Sequence, residues 1–331
     1  MPSTVFKLDN IETSVRFSLP TSYQAFNTNY LPEEWSAVRE TYQKIDDAQS
    51  TFRREHLDSC RQIAWFVRNS ETGKVRVSSN HCRLRWCPLC ANSKKTHIAS
   101  ELQTWLKTAS YPKMLTLTLL HTHEPLGYQV NSLYQSFRKL RKTKLFQKRV
   151  GGGIWFFQIK YNEKSDTWHP HIHALITGGY IPHGLLSTLW LKITGDSFIV
   201  DVTPVNDFEK ASFEVSRYCA RPSAIKDIPA RHRIELFSAM HGRRLCGTWG
   251  SGRRLSLAPR KEADSNKWDR LCRWSTLRDH LNDNDDAKLI YKAWKTNSVL
   301  PADVTLIEYD DIIDGVIDDI EPEPPPLMLW E

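Results

Sequence analysis

Apolar positions along the chain recur with two different periods. Leu31, Trp35, Val38, Tyr42 and Ile45 are spaced by four and three residues, which predicts an amphipathic helix with Pro32 near its start. The same period returns in "NSKKTHIASELQTWLKTA", with Ile98, Leu102, Trp105 and Leu106 inward, and in "VNSLYQSFRKLRKTKLFQKRV", with Leu133, Phe137 and Leu140 on one side. Between these two helices the period drops to two. "KMLTLTLL" alternates cleanly and predicts a strand with Thr116 and Thr118 on one face. "IWFFQIKY" and "TWHPHIHALIT", joined by the polar "NEKSDT", predict an antiparallel hairpin, preceded by a flexible "GGG" at 151–153. "SFEVSRYCARP" predicts a helix that stops at Pro222. Beyond "GTWGSGRR" the pattern predicts further helical segments containing Trp268, Trp274 and Trp294, and "EPEPPPLMLWE" has the composition of a disordered tail.

Length and charge refine this pattern. With 331 residues and 40% hydrophobic content the chain can bury a sizeable core. No stretch approaches the roughly 18 uninterrupted apolar residues of a membrane span, and the first residues lack a signal-like apolar core, so the expected location is the cytoplasm, away from membranes. The net charge is +7, but residues 302–331 hold ten Asp or Glu and no Lys or Arg. The other residues therefore set 45 basic against 28 acidic side chains, an excess of +17 that points to nucleic acid as partner. Seven basic residues crowd positions 138–149, where Arg138, Arg141 and Lys142 are candidates for tracking a DNA backbone.

The candidate chemistry starts with the histidine strand. His169, His171 and His173 share one face because side chains alternate across a strand. Two imidazoles at i and i+2 can bind one divalent ion, whereas a third sits too far along the strand to join them; the expected ligands are His171 and His173, with His169 as a flanking residue. On the preceding strand Gln158 offers an amide oxygen suited to a hard cation such as Mg²⁺, with Glu163 and Asp166 in the turn as rivals. Glu214 and Tyr218 lie four apart on one predicted helix face. A tyrosine hydroxyl can attack a phosphodiester, and a carboxylate one turn away can activate water. The spacing Cys82-x4-Cys87-x2-Cys90 suits a structural Zn²⁺, with His81, Cys60 or His97 available as fourth ligand. Cys219, Cys246 and Cys272 are isolated and read as structural.

The order "MLTLTL", "HPHIHALI", "EVSRYCAR" resembles the three motifs of the HUH endonucleases, and most closely the rolling-circle plasmid replication initiator (Rep) proteins with one catalytic tyrosine. The upstream "CRLRWCPLC" resembles the cysteine knuckle of that group. The resemblance implies an α+β fold: an antiparallel sheet with packed helices, preceded by a zinc-knuckle segment and followed by a helical region. The corresponding domains would be a helical lead at 1–59, the knuckle and its helix at 60–108, a nuclease core at 109–235, a basic helical region at 236–300 and an acidic tail at 301–331. It implies metal ligation by His171 and His173, nucleophilic attack by Tyr218 and water activation by Glu214. A strand position often filled by glutamate in the group falls on Gln158, and a commonly lysine position falls on Arg221, with Lys226 as an alternative cation. The implied activity is metal-dependent nicking and strand transfer on one strand of a plasmid origin, with Mg²⁺ or Mn²⁺ as cofactor. The implied partners are supercoiled and single-stranded origin DNA, a host helicase and a host polymerase. A single-strand HUH transposase and a non-catalytic zinc-dependent DNA-binding regulator are the rival expectations.

Overall fold

The structure is a computed structural model that describes residues 32–45, 48–220, 225–257 and 267–304; for residues 32, 48–51 and 218–220 it describes the backbone alone. The disorder expected of the C-terminal tail and the start of the first apolar stripe at Leu31 fall outside these residues. The chain divides into two compact units, the larger built from Asn29–Cys60 and His81–Ala263, the smaller containing Arg61–Asn80 and Asp264–Pro322.

The larger unit is organised by a five-stranded sheet. Its strands are β3 (Lys113–Thr118), β4 (Val150–Asn162), β5 (Thr167–Gly178), β6 (Val200–Pro204) and β7 (Cys246–Gly250), in the order β6-β3-β5-β4-β7 with every pairing antiparallel. Pleating gives the sheet two unlike faces. One carries Leu115, Leu117, Phe157, Ile159, Ile172, Ala174 and Ile176, all buried under helices. That core takes in α1 (Pro32–Lys44), α2 (Ala48–Ser59), α4 (Leu126–Lys142), α5 (Lys144–Arg149), α6 (His183–Thr194) and α8 (Ala230–Ala239). Each fully buried Leu, Ile or Phe on this face contributes roughly 1.5–3 kcal/mol. On the opposite face, α3 (Pro88–Thr108) and α7 (Phe208–Ala220) share a second core with Ile154, Phe156 and Leu175. Along the same face, past that core, run Gln158 and the three histidines of β5.

Some elements depart from the expected pattern. The glycine run is part of β4 rather than a flexible lead, because here the sheet requires backbone against backbone. A Cβ on Gly152 would sit 2.2 Å from the Ser251 backbone nitrogen, and one on Gly153 would sit 2.2 Å from the Leu175 carbonyl oxygen. The single long helix expected over "VNSLYQSFRKLRKTKLFQKRV" breaks into α4 and α5 at Thr143, whose hydroxyl accepts the Phe146 N–H at 3.4 Å as an N-cap. The region past residue 236, expected to be helical, also supplies β7 and β8 (Trp268–Arg273). Of the isolated cysteines, Cys246 is buried beside Phe156 and Cys272 is buried in the smaller unit, while the side chain of Cys219 lies outside the described residues.

In the smaller unit β1 (Ala64–Asn69), β2 (Val75–Ser79) and β8 form an antiparallel sheet in the order β2-β1-β8. Phe66 points inward, stacked on Trp274 with ring centroids 5.5 Å apart and met edge-on by Trp294 at 5.4 Å. Trp274 opens α9 (Trp274–His280), and Trp294 lies on α10 (Asp285–Thr296). The Asn284 side chain caps α10 by accepting the Ala287 N–H at 3.0 Å. Arg68 holds the following segment by donating to the carbonyls of Pro301 at 3.0 Å and Ala302 at 2.8 Å.

Candidate active site

The strand register brings the predicted ligands together. Gln158 lies opposite His171, Phe156 opposite His173, and on the other flank Thr118 and Thr116 face the same two histidines. The Gln158 Oε1 atom sits 2.8 Å from His173 Nε2 and is also in contact with His171 Nε2. His171 Nδ1 lies 3.1 Å from the carbonyl of His169, an acceptor only, which fixes the tautomer with Nδ1 protonated. His171 Nε2 therefore offers a lone pair toward an amide oxygen that also has only lone pairs. Such a convergence is relieved by a cation, so this donor set fits a divalent ion. His173 is oriented by Thr116, whose hydroxyl meets its Nδ1 at 3.1 Å.

Burial keeps the imidazoles neutral and ready to ligate. It pushes His171 down to about 3, helped by the neighbouring His173, and His173 down to about 4, helped by Lys160. His169 is also lowered to about 4, by burial first and then by His121 and Lys160. It does not reach Gln158; its ring instead packs on that of His121 with centroids 3.9 Å apart. His121 was not singled out from the sequence, although "HTH" directly follows the "KMLTLTLL" strand. The rival Asp166 is engaged elsewhere, accepting from Tyr161 at 2.5 Å and pairing with Arg231 at 3.3 Å.

Helix α7 lies on the same face of the sheet as this site and enters from the far end. Lys113 pairs with Pro204 and Leu117 with Val200, so β6 runs away from the histidines. The chain turns where the Val205 N–H bonds to the Pro112 carbonyl at 3.0 Å, and α7 then returns along the histidine face. Its 13 residues span about 20 Å, against about 17 Å for the strand steps from Ile176 back to His171. Ala211 and Val215 face the sheet. The side chain of Tyr218 and all of Arg221 lie outside the described residues. Glu214 is exposed, one turn before position 218.

The basic candidates separate. Arg138 and Lys142 are exposed on α4. Arg141 is half-buried, its guanidinium 4.9 Å from the Phe137 ring centroid and 5.4 Å from that of Trp249, and burial lowers its pKa. It therefore packs as much as it charges the surface. Lys226 is ion-paired with Glu33 at 2.6 Å, which raises its pKa.

A second cluster gathers Cys60, Cys82, Cys87 and Cys90, whose sulfurs all lie within 4.8 Å of one another. Cys60 and Cys82 are each 3.6 Å from Cys90, and Cys87 is 3.7 Å from Cys60. Four convergent thiols are the donor set of a closed tetrahedral zinc site. Of the three residues available as fourth ligand, His81, Cys60 and His97, the structure gathers Cys60 with the other thiols. His81 stays at the rim as a hydrogen-bond partner of Cys90, and His97 is engaged with the Ser256 carbonyl at 3.0 Å. The physical reason is that Cys60 already completes a set of four sulfurs within 4.8 Å of one another, which fills a tetrahedral shell without His81.

Residues 74–298 match the family model described as a replication protein, Rep_1. The chain belongs to this replication protein family. It is similar to "Protein rep" of a Bacillus sp, with 31% identity over 170 residues, 47% of this chain and 54% of the relative. It is also similar to "Protein rep" of Bacillus amyloliquefaciens, with 27% identity over 59% of this chain and 70% of the relative, and to that of Staphylococcus aureus, with 27% identity over 50% and 81%. The chain thus spans about half the length of the Bacillus sp relative. No solved structure matches this Rep chain at a significant level. Among its described residues no helix is long and apolar enough to cross a membrane. The plasmid rolling-circle Rep relationship read from the motifs and the α+β antiparallel-sheet fold are both supported, and the HUH superfamily is consistent with them.

Proposed function

We propose that this Rep chain initiates rolling-circle replication by nicking one strand of a plasmid origin through a tyrosine. The observation that carries this reading is the convergence of Gln158 Oε1 with the Nε2 atoms of His171 and His173, on the sheet face against which Ala211 and Val215 of α7 pack. A divalent ion such as Mg²⁺ or Mn²⁺ bound by these three residues would supply Lewis-acid polarisation of the scissile phosphate. Tyr218 gives up its phenolic proton and its oxygen forms a bond to phosphorus. The bond from phosphorus to the 3′ oxygen breaks, and that oxygen takes a proton to leave a 3′ hydroxyl for a host polymerase, while the 5′ phosphate remains on Tyr218. At termination Glu214, exposed and one turn away, accepts a proton from a water whose oxygen bonds to the phosphorus of the regenerated site, while the bond from that phosphorus to the 3′ oxygen breaks and the 3′ oxygen takes a proton. Arg138 and Lys142 hold the backbone of supercoiled or single-stranded origin DNA, with Arg221 and Lys226 as cations on the phosphate side. The four thiols would hold a structural Zn²⁺, which would fix the N-terminal end of α3.

A nicking assay on supercoiled origin plasmid tests the reading. Tyr218→Phe should abolish both the nick and the covalent protein–DNA adduct, and His173→Ala should remove metal-dependent cleavage. Wild-type nicking by both variants would leave a non-catalytic DNA-binding regulator, and an adduct on another tyrosine would move the nucleophile.

A further inference from the structure

We propose that the outer face of the three-stranded sheet in the smaller unit is a binding platform for single-stranded DNA, separate from the nicking site. Phe66 points into the core, so by alternation Trp65 and Val67 point outward. The register sets Arg273 beside Trp65, and Arg76 and Arg270 on either side of Val67. The Arg76 guanidinium lies 3.7 Å from the Trp268 ring centroid, and those of Arg270 and Arg273 lie 4.9 and 5.0 Å from Trp65. Two indoles and three guanidinium planes thus share one pleated surface, with Val67 buried among them at 5% exposure. Within the three strands the acidic residue is Asp269, and it pairs in register with Arg68 on the opposite face.

This combination selects its ligand. Flat cations laid on indoles offer stacking surfaces to bases and N–H groups to phosphates, the two interactions by which a single strand is held without sequence readout. Duplex DNA is a poorer fit, because its major groove admits a helix or a two-stranded ribbon and its bases are stacked on one another. The two outer strands are about 10 Å apart, room for about two or three unstacked bases. The inference needs only the family relationship and not the chemistry of Tyr218.

The test uses the full-length protein and titrates a fluorescent oligothymidylate of about 20 nucleotides, with a duplex of equal length as control, across about 50 to 200 mM salt. Arg76→Ala combined with Arg270→Ala should weaken oligothymidylate binding by about 10-fold or more and flatten the log K against log salt slope by about 1.4. Arg270→Lys should keep the slope and still lose about 3-fold, because charge remains while the plane is gone. Ser78→Glu, placing beside Trp65 a carboxylate that repels phosphate, should weaken single-strand binding if the double variant does not fold. The titration is run without added Mg²⁺ or Mn²⁺, conditions in which the proposed nicking chemistry is off, so loss of nicking and loss of this site are read separately. Unchanged oligothymidylate affinity in the folded double variant, or in both Arg270→Lys and Ser78→Glu, would overturn the proposal, as would an equal loss for duplex.

Discussion

The histidine site and the cysteine cluster are both gatherings of lone pairs, yet they are built in opposite ways. Gln158, His171 and His173 stand on two neighbouring strands whose register fixes their spacing. The cysteines come from separate places: Cys60 just past α2, Cys82 in an irregular segment, Cys87 at the cap of α3 and Cys90 inside it. A sheet with its own hydrophobic core preorganises the first site, whereas the second draws its thiols from separate segments, which a bound ion would hold together. Ligand softness follows the same division. Oxygen and imidazole on an open face suit a hard ion that exchanges with substrate, and four thiolates close a shell that excludes it.

The largest expected effect breaks the comparison on the cysteine side. Cys60→Ser, or zinc removal by a chelator, should destabilise the protein by about 3 kcal/mol or more and lower its thermal midpoint by about 10 °C. Differential scanning calorimetry with zinc analysis reads both, and a variant with full zinc content and an unchanged midpoint would discard the cluster as a metal site. Next, His171→Ala or His173→Ala should cut nicking about 10² to 10³-fold while the melting transition keeps its cooperativity, since the sheet does not depend on the ion. A collapse of the fold in these variants would erase the distinction.

Acid should then weaken the metal-free protein through the histidines. Their folded pKa values lie at about 3 to 4, below the usual value of 6.5 for the unfolded chain. Between these limits the unfolded state binds more protons, so stability falls as pH drops from about 6.5 toward about 4 and is unaffected by these groups above that range. Denaturant titrations of wild type and His169→Ala over this window should show a shallower decline in the variant; parallel curves would contradict it. Gln158→Glu should tighten Mn²⁺ binding by about 10-fold, read by calorimetric titration. His81→Ala should be the mildest, retaining one zinc per chain, in contrast to Cys60→Ser.

Legibility in the sequence followed periodicity. β3, β5 and α7 carry uninterrupted alternation or helical spacing, so their faces and the pair His171 and His173 could be assigned from pattern alone. β7 reads "CGTWG", with too few apolar residues to alternate, and β8 is interrupted by a bulge around Leu271 that shifts its register. Cys60 entered only as one of three candidates for the fourth ligand position, because 21 residues of chain leave and return before Cys82 and no local spacing links them. The contact of Thr116 with His173 was hidden for a similar reason. A threonine on the correct face is visible in sequence, but the partner strand is set by tertiary pairing.

The backbone contact at Gly152 and Gly153 has a consequence for anyone mapping this protein by random mutagenesis. Any side chain there collides with the main chain of Ser251 or Leu175, so substitutions should eliminate replication as thoroughly as changes to His171. Gly153 is five strand residues from Gln158, about 17 Å of β4, and has no role in the chemistry. A phenotype screen would place both among the essential residues, and only measuring how much folded protein each mutant cell accumulates would tell scaffold from catalyst.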